Sequence, residues 1–538
     1  MTFAAETSSN GNSRCQSSGG KADHLQQAFV DDNVAISPNA PEEVPTLLKR
    51  IAMHGEAYLA ESDENERTRI LDAARSLVYA LETPREAIIR HCWSQSTIYA
   101  AVETGVDLGI FTVLSQDDKP KTAGYLAAAT GADPTVIARI LKHLAAMGVI
   151  TETGPDEYRR TGFSIAMMSN RYSDSYPCMT GCITDGVLAL PAQLKKTDYR
   201  NPSDGKNCAF QRGFRTPLHF FDFLEKNPIH AIQFNNHMSA YHQGRPSWMD
   251  VGFYPVLSLV AEANISDQDV LLVDIGGSLG HDLSEFRRKW PQVPGRLILQ
   301  DLPKVVEQAR SMDLDPAIEL MTHDFFTEQP IKGARAYYMH SVLHDWTDDD
   351  CRRILANIIP AMKRGHSKLL LNENVIPSTN AYWETTSLDI IMMADFASTE
   401  RTEKQWRALV ESADLKITRI RSVDYVKKTL TLYKDIPKAC GEGSQTPKHV
   451  LLACSRFTGL RNQMLDKIAA RGSTPRDKIT DYDSIISDPQ AIRYVAEFLL
   501  QTGLLGQFSQ VELDPEEPNP GQEHVGLRAM GIGAEDAG

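Results

Sequence analysis

An α/β fold, with a mostly parallel sheet behind a helical region that carries a winged-helix pattern, is predicted by three observations. Between Val270 and Val423, short apolar runs alternate with helical stretches, the pattern of strands covered by helices. One of these runs, Val270–Asp274, opens into a glycine turn at Gly276, Gly277 and Gly280, and strands of open α/β sheets meet their ligands at such ends. Upstream, two helices and a β-hairpin follow one another between Lys121 and Thr161. The 538 residues, 42% hydrophobic and 23% charged, allow two to four domains at ~100–200 residues each and exclude a mainly disordered or fibrous chain.

The elements can be justified in chain order. Residues 1–40, rich in Ser, Gly and Asn, offer no apolar period to offset the entropy of ordering and are expected to be a disordered lead. Helical spacing follows in Ile70–Leu81 and Thr97–Leu114. Lys121–Thr130 reads as a short helix; Asp133 as an N-cap and Pro134 as a first helical residue open the next. Val136, Ile137, Ile140, Leu141 and Leu144 give that helix one apolar face, and Gly148 ends it. Val149–Thr153 and Tyr158–Thr161 then form the hairpin. After a mixed helical stretch, Pro217–Val260, the expected strands are Val270–Asp274, Leu297–Gln300, Ala336–Met339, Lys368–Leu371 and Lys416–Val423.

A winged helix invites a reading as a DNA binder, but its recognition helix offers only Arg139, Lys142 and His143. The chain as a whole has 56 Lys+Arg against 70 Asp+Glu, a net charge of −14, which repels phosphate backbones and anionic membrane surfaces. Packing or dimerisation is the expected role, with no nucleic-acid and no membrane partner. No apolar run approaches the ~18 residues of a membrane span, and the first residues lack a secretory pattern, so a cytoplasmic protein is expected. Eight cysteines spread over the chain fit reduced thiols better than a disulfide framework.

The residues with chemistry lie at the strand ends. Gly276 and Gly277 allow close approach of a ligand to the backbone, while Ser278 and His281 stand where a dinucleotide fingerprint would have its second and third glycines. Asp274 suits a ligand bearing positive charge, and Asp301, after the second strand, can accept both hydroxyls of a ribose. A nucleoside without phosphates fits best. The third strand leads to His344, the fourth ends at Glu373, and Glu400 precedes Arg401 and Thr402. Carboxylates converging on an imidazole orient it and stabilise its protonated form, as general-base catalysis requires.

These pieces, Val273-Asp-Ile-Gly-Gly, Gln300-Asp-Leu-Pro, His323-Asp-Phe-Phe, Leu343-His-Asp-Trp, Asn372-Glu-Asn-Val-Ile-Pro and Glu400-Arg-Thr, stand in an order and spacing that resembles the S-adenosylmethionine-dependent O-methyltransferases of the caffeate and plant-phenolic type, closest to the fungal branch acting on polyketides and other aromatic secondary metabolites. The resemblance runs from roughly Ala74 to Val423. It implies a class I methyltransferase Rossmann-like sheet with an N-terminal helical winged-helix dimerisation domain, a homodimer, S-adenosylmethionine as cofactor, and a small aromatic phenolic substrate. It further implies that Asp274, Gly276, Gly277 and Asp301 line the cofactor, that Asp324 and Phe325 flank its adenine, and that His344 is the base positioned by Glu373 and Glu400. Met392 falls where the family packs a methionine on the acceptor, and Trp248, with Phe220 and Phe221, suggests an apolar, aromatic-friendly pocket. Two departures stand out: Ser278 replaces a third glycine, and His340 replaces a basic Lys or Arg expected near the cofactor. They keep open a catalytically impaired, methyltransferase-like scaffold as the alternative reading, beside the DNA-binding regulator. No metal is expected.

The division that follows is a disordered lead (1–40), a helical and winged-helix dimerisation domain (41–170), a helical linker and substrate-pocket region (171–265), the cofactor-binding catalytic domain (266–434), an appendage (435–510) and a disordered tail (511–538). The appendage resembles the C-terminal tail of fungal non-LTR retrotransposon polyproteins, whose Cys-Cys-His-Cys knuckle is reduced here to Cys440, His449 and Cys454, one short of a structural zinc set. The usual last strand of the methyltransferase sheet is not apparent, so an unpaired sheet edge would result unless another segment fills it. Lys428–Tyr433 is the favoured candidate and His449–Ala453 the second.

Overall fold

The computed structural model describes residues 32–241, 243–244, 247–251, 253–261, 265–421, 427–434, 458–471, 494, 495 and 498. The chain forms two compact units, one from its N-terminal part up to Gly181 together with Ile232–Ala240, the other from Cys182–Ala231 and from Tyr241 onward.

In the first unit, the helices Val44–Glu61 and Glu64–Leu81 form a hairpin, the second capped by Asp63, whose carboxylate accepts from Asn65 N at 3.0 Å. Residues 32–40 depart from the disordered lead expected of them: Asp32–Ile36 form a 3-10 turn, and Asn39 N and Ala40 N donate to the carbonyls of Glu82 and Ala80, each at 3.0 Å. Backbone bonds to an existing helix end tie this segment down, which composition does not reveal.

The winged-helix pattern is present as three antiparallel strands, β1 (Lys121–Thr122), β2 (Thr151–Gly154) and β3 (Glu157–Arg159), in the order β1-β3-β2. Lys121 and Thr122 are therefore strand, not helix as expected, because Thr122 must stay extended to cap Ala123–Thr130. Asp133 caps Pro134–Ala146, accepting from Thr135 N at 2.8 Å. Ile137, Leu141 and Leu144 are buried with Phe111, Leu126 and Tyr158. Val136, assigned to the same face, is 47% exposed, since it sits in the first turn ahead of the contact.

The second unit is built on a seven-stranded sheet: β4 (Val270–Ile275), β5 (Arg296–Asp301), β6 (Ile318–Thr322), β7 (Ala336–His340), β8 (Lys368–Asn374), β9 (Leu415–Arg421) and β10 (Lys427–Lys434), ordered β6-β5-β4-β7-β8-β10-β9. From β6 to β8 all neighbours are parallel, whereas β10 lies antiparallel between β8 and β9. Two expectations are corrected. β6 went unforeseen because it mixes polar and apolar residues and only Ile318 is buried. The last strand is not missing: the segment favoured to fill the edge pairs from Lys427 opposite Asn374 to Tyr433 opposite Lys368. The strand proposed second, 449–453, and Cys440, His449 and Cys454 lie outside the described residues. Within the appendage, Thr458–Arg471 is a helix.

One face of the sheet buries Val273, Tyr337 and Leu371 with Ile354, Leu355 and Trp406, and the other buries Leu272, Tyr338 and Leu370 with Trp248, Phe253 and Phe286. The connection leaving β4 leads to β5 on one side, and β7 pairs on the other. This reversal of strand order opens a crevice at the carboxyl ends of β4 and β7.

Candidate active site

The crevice begins with the turn after β4. Gly276 has φ +71°, and at Gly277 a Cβ would stand 2.4 Å from Leu299 Cδ1 and 2.6 Å from the Asp274 carboxyl carbon; a side chain at Gly277 has no room. Ser278, in the third glycine position, takes the left-handed conformation at φ +50°, which accounts for glycine being the better residue there. Its N–H donates to Asp301 Oδ2 at 2.8 Å, and Leu302 N donates to Asp301 Oδ1 at 2.7 Å. Burial raises the Asp301 carboxyl to about 6 against these two bonds.

Asp274 is more extreme. It is 1% exposed, and its Oδ2 has no hydrogen-bond partner among the described residues. Burial, then the charges of Asp282 and Asp301, push its carboxyl well above the ordinary range. His340 Nδ1 and Tyr338 Oη each lie 2.6 Å from Asp282 Oδ2, and Asn372 Nδ2 donates to Tyr338 Oη at 3.0 Å. His340 therefore brings an imidazole to a carboxylate where a free Lys or Arg was the family expectation. Asp324 is exposed and accepts from Phe326 N at 2.9 Å, and Phe325 stands edge-on to Trp346 with centroids 5.8 Å apart.

The second cluster lies on the turn after β7. Thr347 caps the following helix, Asp348–Ile358, and so fixes where the preceding turn, Leu343–Asp345, must stop. His344 is 5% exposed, with Nδ1 2.6 Å from Glu400 Oε1 and Nε2 3.4 Å from Asp345 Oδ1. Burial alone would lower the imidazole, but Asp345 and Glu400 outweigh it and raise it to about 10. Burial likewise raises Asp345, opposed by the imidazolium, to about 7. Glu373, expected to position His344, makes its hydrogen bonds to the backbone of the turn and not to the ring: its Oε1 accepts from Val342 N at 3.2 Å and Leu343 N at 2.9 Å.

Met392 is 4% exposed in a π-type turn, Met392–Phe396, a distortion frequent at functional sites. Trp248, read as pocket wall, is instead packed in the core against Tyr338, Tyr254 and Phe286, with centroids 4.9, 5.5 and 6.3 Å away. Phe221 stacks on Trp346 at 5.4 Å, beside His219 at 5.0 Å. Sequence reasoning passed over Asp345, Asp282, Ser398 and Arg401. For Arg401 a signal existed, since it adjoins Glu400 in a quoted motif; for Asp282, 58 residues from His340, none did.

Comparison with known proteins agrees with this arrangement. An O-methyltransferase domain matches residues 203–416, and an O-methyltransferase dimerisation domain matches residues 91–174. The O-methyltransferase mpaG of Penicillium brevicompactum is 36% identical over 388 residues, 72% of this chain and 97% of that protein. The demethylsterigmatocystin 6-O-methyltransferase of Aspergillus parasiticus is 37% identical over 340 residues, 63% of this chain and 85% of that protein. Among solved structures, LepI in complex with S-adenosylmethionine superimposes with a TM-score of 0.66 at 29% identity, covering 72% of this chain and 99% of that one. With a β4 glycine turn, the carboxylates of Asp274 and Asp301 at its crevice and relatives of this length and likeness, the chain belongs to the S-adenosylmethionine-dependent O-methyltransferases, in the branch of fungal secondary metabolism.

Proposed function

We propose that the protein transfers a methyl group from S-adenosylmethionine to a phenolic hydroxyl of an aromatic secondary metabolite, with His344 as general base. The observation that carries this reading is the buried His344–Glu400 pair at 2.6 Å, beside the β4 crevice. Asp274 and Asp301 fit the cofactor: a buried carboxylate oxygen without a partner suits a cationic ligand, and a carboxylate held by two N–H groups suits ribose hydroxyls. When bound, the cofactor supplies an electrophilic methyl carbon on a sulfonium sulfur.

The chain's contribution is to the proton and the alignment. A phenol at about 10 meets an ordinary imidazole at about 6.5, a mismatch of about 5 kcal/mol. The carboxylates around His344 raise it to about 10, which removes most of that mismatch. An imidazole so raised holds its proton at neutral pH. It therefore takes the phenol's proton only in the fraction of molecules whose Nε2 is unprotonated, a fraction that grows about tenfold per unit of pH below that value. With the cofactor bound, the sulfonium would give up its methyl group to the phenol oxygen and keep the carbon–sulfur bonding electrons, while the proton taken up by His344 passes on to solvent. Aligning the oxygen with the methyl group can contribute several kcal/mol more.

The exposed apolar residues Leu48, Met53, Leu59, Val78 and Leu81 on the N-terminal hairpin, beside the matched dimerisation domain, support a homodimer. The test of function is to incubate the protein with methyl-labelled S-adenosylmethionine and a panel of phenol, naphthols and hydroxylated anthraquinones, and to measure kcat/KM against pH for the best acceptor. Labelled methyl ether should form, with kcat/KM climbing toward alkaline pH between about 6.5 and 8.5. A plateau above 6.5 would mean that an ordinary imidazole is the base, and no labelled product from any phenol would remove the phenolic class.

A further inference from the structure

The turn that carries His344 is gripped from both sides by buried side chains that never touch the imidazole. Glu373 takes the N–H groups of Val342 and Leu343. On the carbonyl side, Arg401 Nη1 donates to Leu343 O at 3.0 Å and Nη2 to Trp346 O at 2.9 Å, the carbonyls one residue before and two after His344. Ser398 Oγ donates to His344 O, and also to Trp346 O at 3.0 Å. Cys351 Sγ adds a weak contact to Leu343 O at 3.1 Å.

Arg401 is the centre of this grip. It is 1% exposed, its Nε donates to Asp348 Oδ1 at 2.9 Å, and its guanidinium lies 5.0 Å from the Trp406 ring centroid. A planar fork with fixed donors can hold two carbonyls and a carboxylate at once, which an ammonium cannot. Asp348 opens the helix that Thr347 caps, so Arg401 ties the turn to that helix. It also follows Glu400 directly, so one backbone segment supplies both the carboxylate on Nδ1 and the fork that fixes the ring's own backbone.

We propose that Arg401 is a positioning residue for methyl transfer, holding the Leu343–Trp346 turn so that His344 Nδ1 meets Glu400 and Nε2 faces the acceptor. This rests on the reading of His344 as the base.

The test uses the full chain and four measurements: kcat with the best phenol of the panel, the affinity for S-adenosylhomocysteine by calorimetry, melting, and the downfield proton resonance of the His344–Glu400 bond, assigned by its loss in H344Q. Arg401→Met should lose that resonance and about 10- to 100-fold of kcat while binding S-adenosylhomocysteine within about twofold of the original protein. Arg401→Lys should fall between. Because Arg401 acts through His344, H344Q/R401M should be no slower than H344Q alone. An unchanged resonance and kcat in R401M overturns the proposal, as do losses that multiply in the double variant. Should R401M fail to fold, Asp348→Asn and Ser398→Ala carry the test, and an unmoved resonance with full kcat in both overturns it. If H344Q keeps full turnover, the general-base reading falls instead, while the resonance still reports whether Arg401 holds the ring.

Discussion

Two groups of carboxylates stand at the ends of neighbouring strands, and they are neutralised differently. Around the β4 turn, Asp274 is buried with an oxygen left unmatched among the described residues, and Asp301, half-buried, has backbone N–H groups as its partners. Burial drives them upward, and among the described residues no cation faces Asp274. Around the β7 turn, Asp345 and Glu400 face an imidazole that they hold charged, with Arg401 close behind. On the proposed reading, the first group takes a ligand that brings positive charge, and the second, whose Glu400 Oε1 meets His344, acts on the proton of the acceptor. One unit would thus separate cofactor affinity from proton chemistry by where it places its own cations.

The largest effect is expected at His344. Exchange for Gln should lower kcat by about 10²–10⁴ and leave S-adenosylmethionine affinity nearly unchanged; a parallel loss of affinity would mean that the two groups are one. The converse substitution, Asp301→Ala, should weaken cofactor binding about 10- to 100-fold, the worth of a charge-assisted bond, with kcat at saturation nearly kept. Calorimetry on both variants decides the matter.

Proton linkage sharpens the same contrast. A cationic ligand favours ionised carboxylates, and burial raises Asp301 to about 6 with Asp274 also raised. Cofactor affinity should therefore fall as pH drops through about 6, by up to tenfold per unit for each group titrating. Equal affinity at pH 5 and pH 8 would mean that neither carboxylate answers to the ligand's charge.

A third carboxylate shows what happens with neither ligand nor cation. Asp395 is fully buried, both its oxygens lack partners among the described residues, and burial raises it to about 9. Its folded value lies above the ordinary one, so the native state holds an extra proton and loses stability as pH rises from about 4 toward 9. Asp395→Asn should raise the melting temperature by a few °C at pH 8.5 and by less at pH 5. A gain independent of pH would show that the acid is not titrating there. The smallest effect belongs to Ser278→Gly: relief of the left-handed strain at φ +50° is offset by the freer unfolded chain. Thermal melts should show a gain between zero and about 1 kcal/mol.

Much of this was legible in the sequence because local rules govern it. Asp133 followed by Pro134, Thr347 before three aspartates, and apolar runs ending in a glycine turn each carry their structural reason within a few residues. The motif residues His344 and Glu400 were recognisable for the same cause, each sitting in a short pattern of its own. Tertiary structure alone decided the relations between distant segments. Glu373 was legible as a site residue, yet which group it holds depended on how β8 lies against the β7 turn. Trp248 reads as pocket wall until Phe286 and Tyr338 are seen to surround it in the core. Lys428–Tyr433 reads as a strand, but its place between β8 and β9 follows from backbone pairing with two partners. Composition and spacing determine which residues carry charge and which elements they ride on. Burial and the approach of other segments decide whether that charge is matched: Asp274 Oδ2 stays without a partner among the described residues, whereas Glu400 Oε1 meets His344.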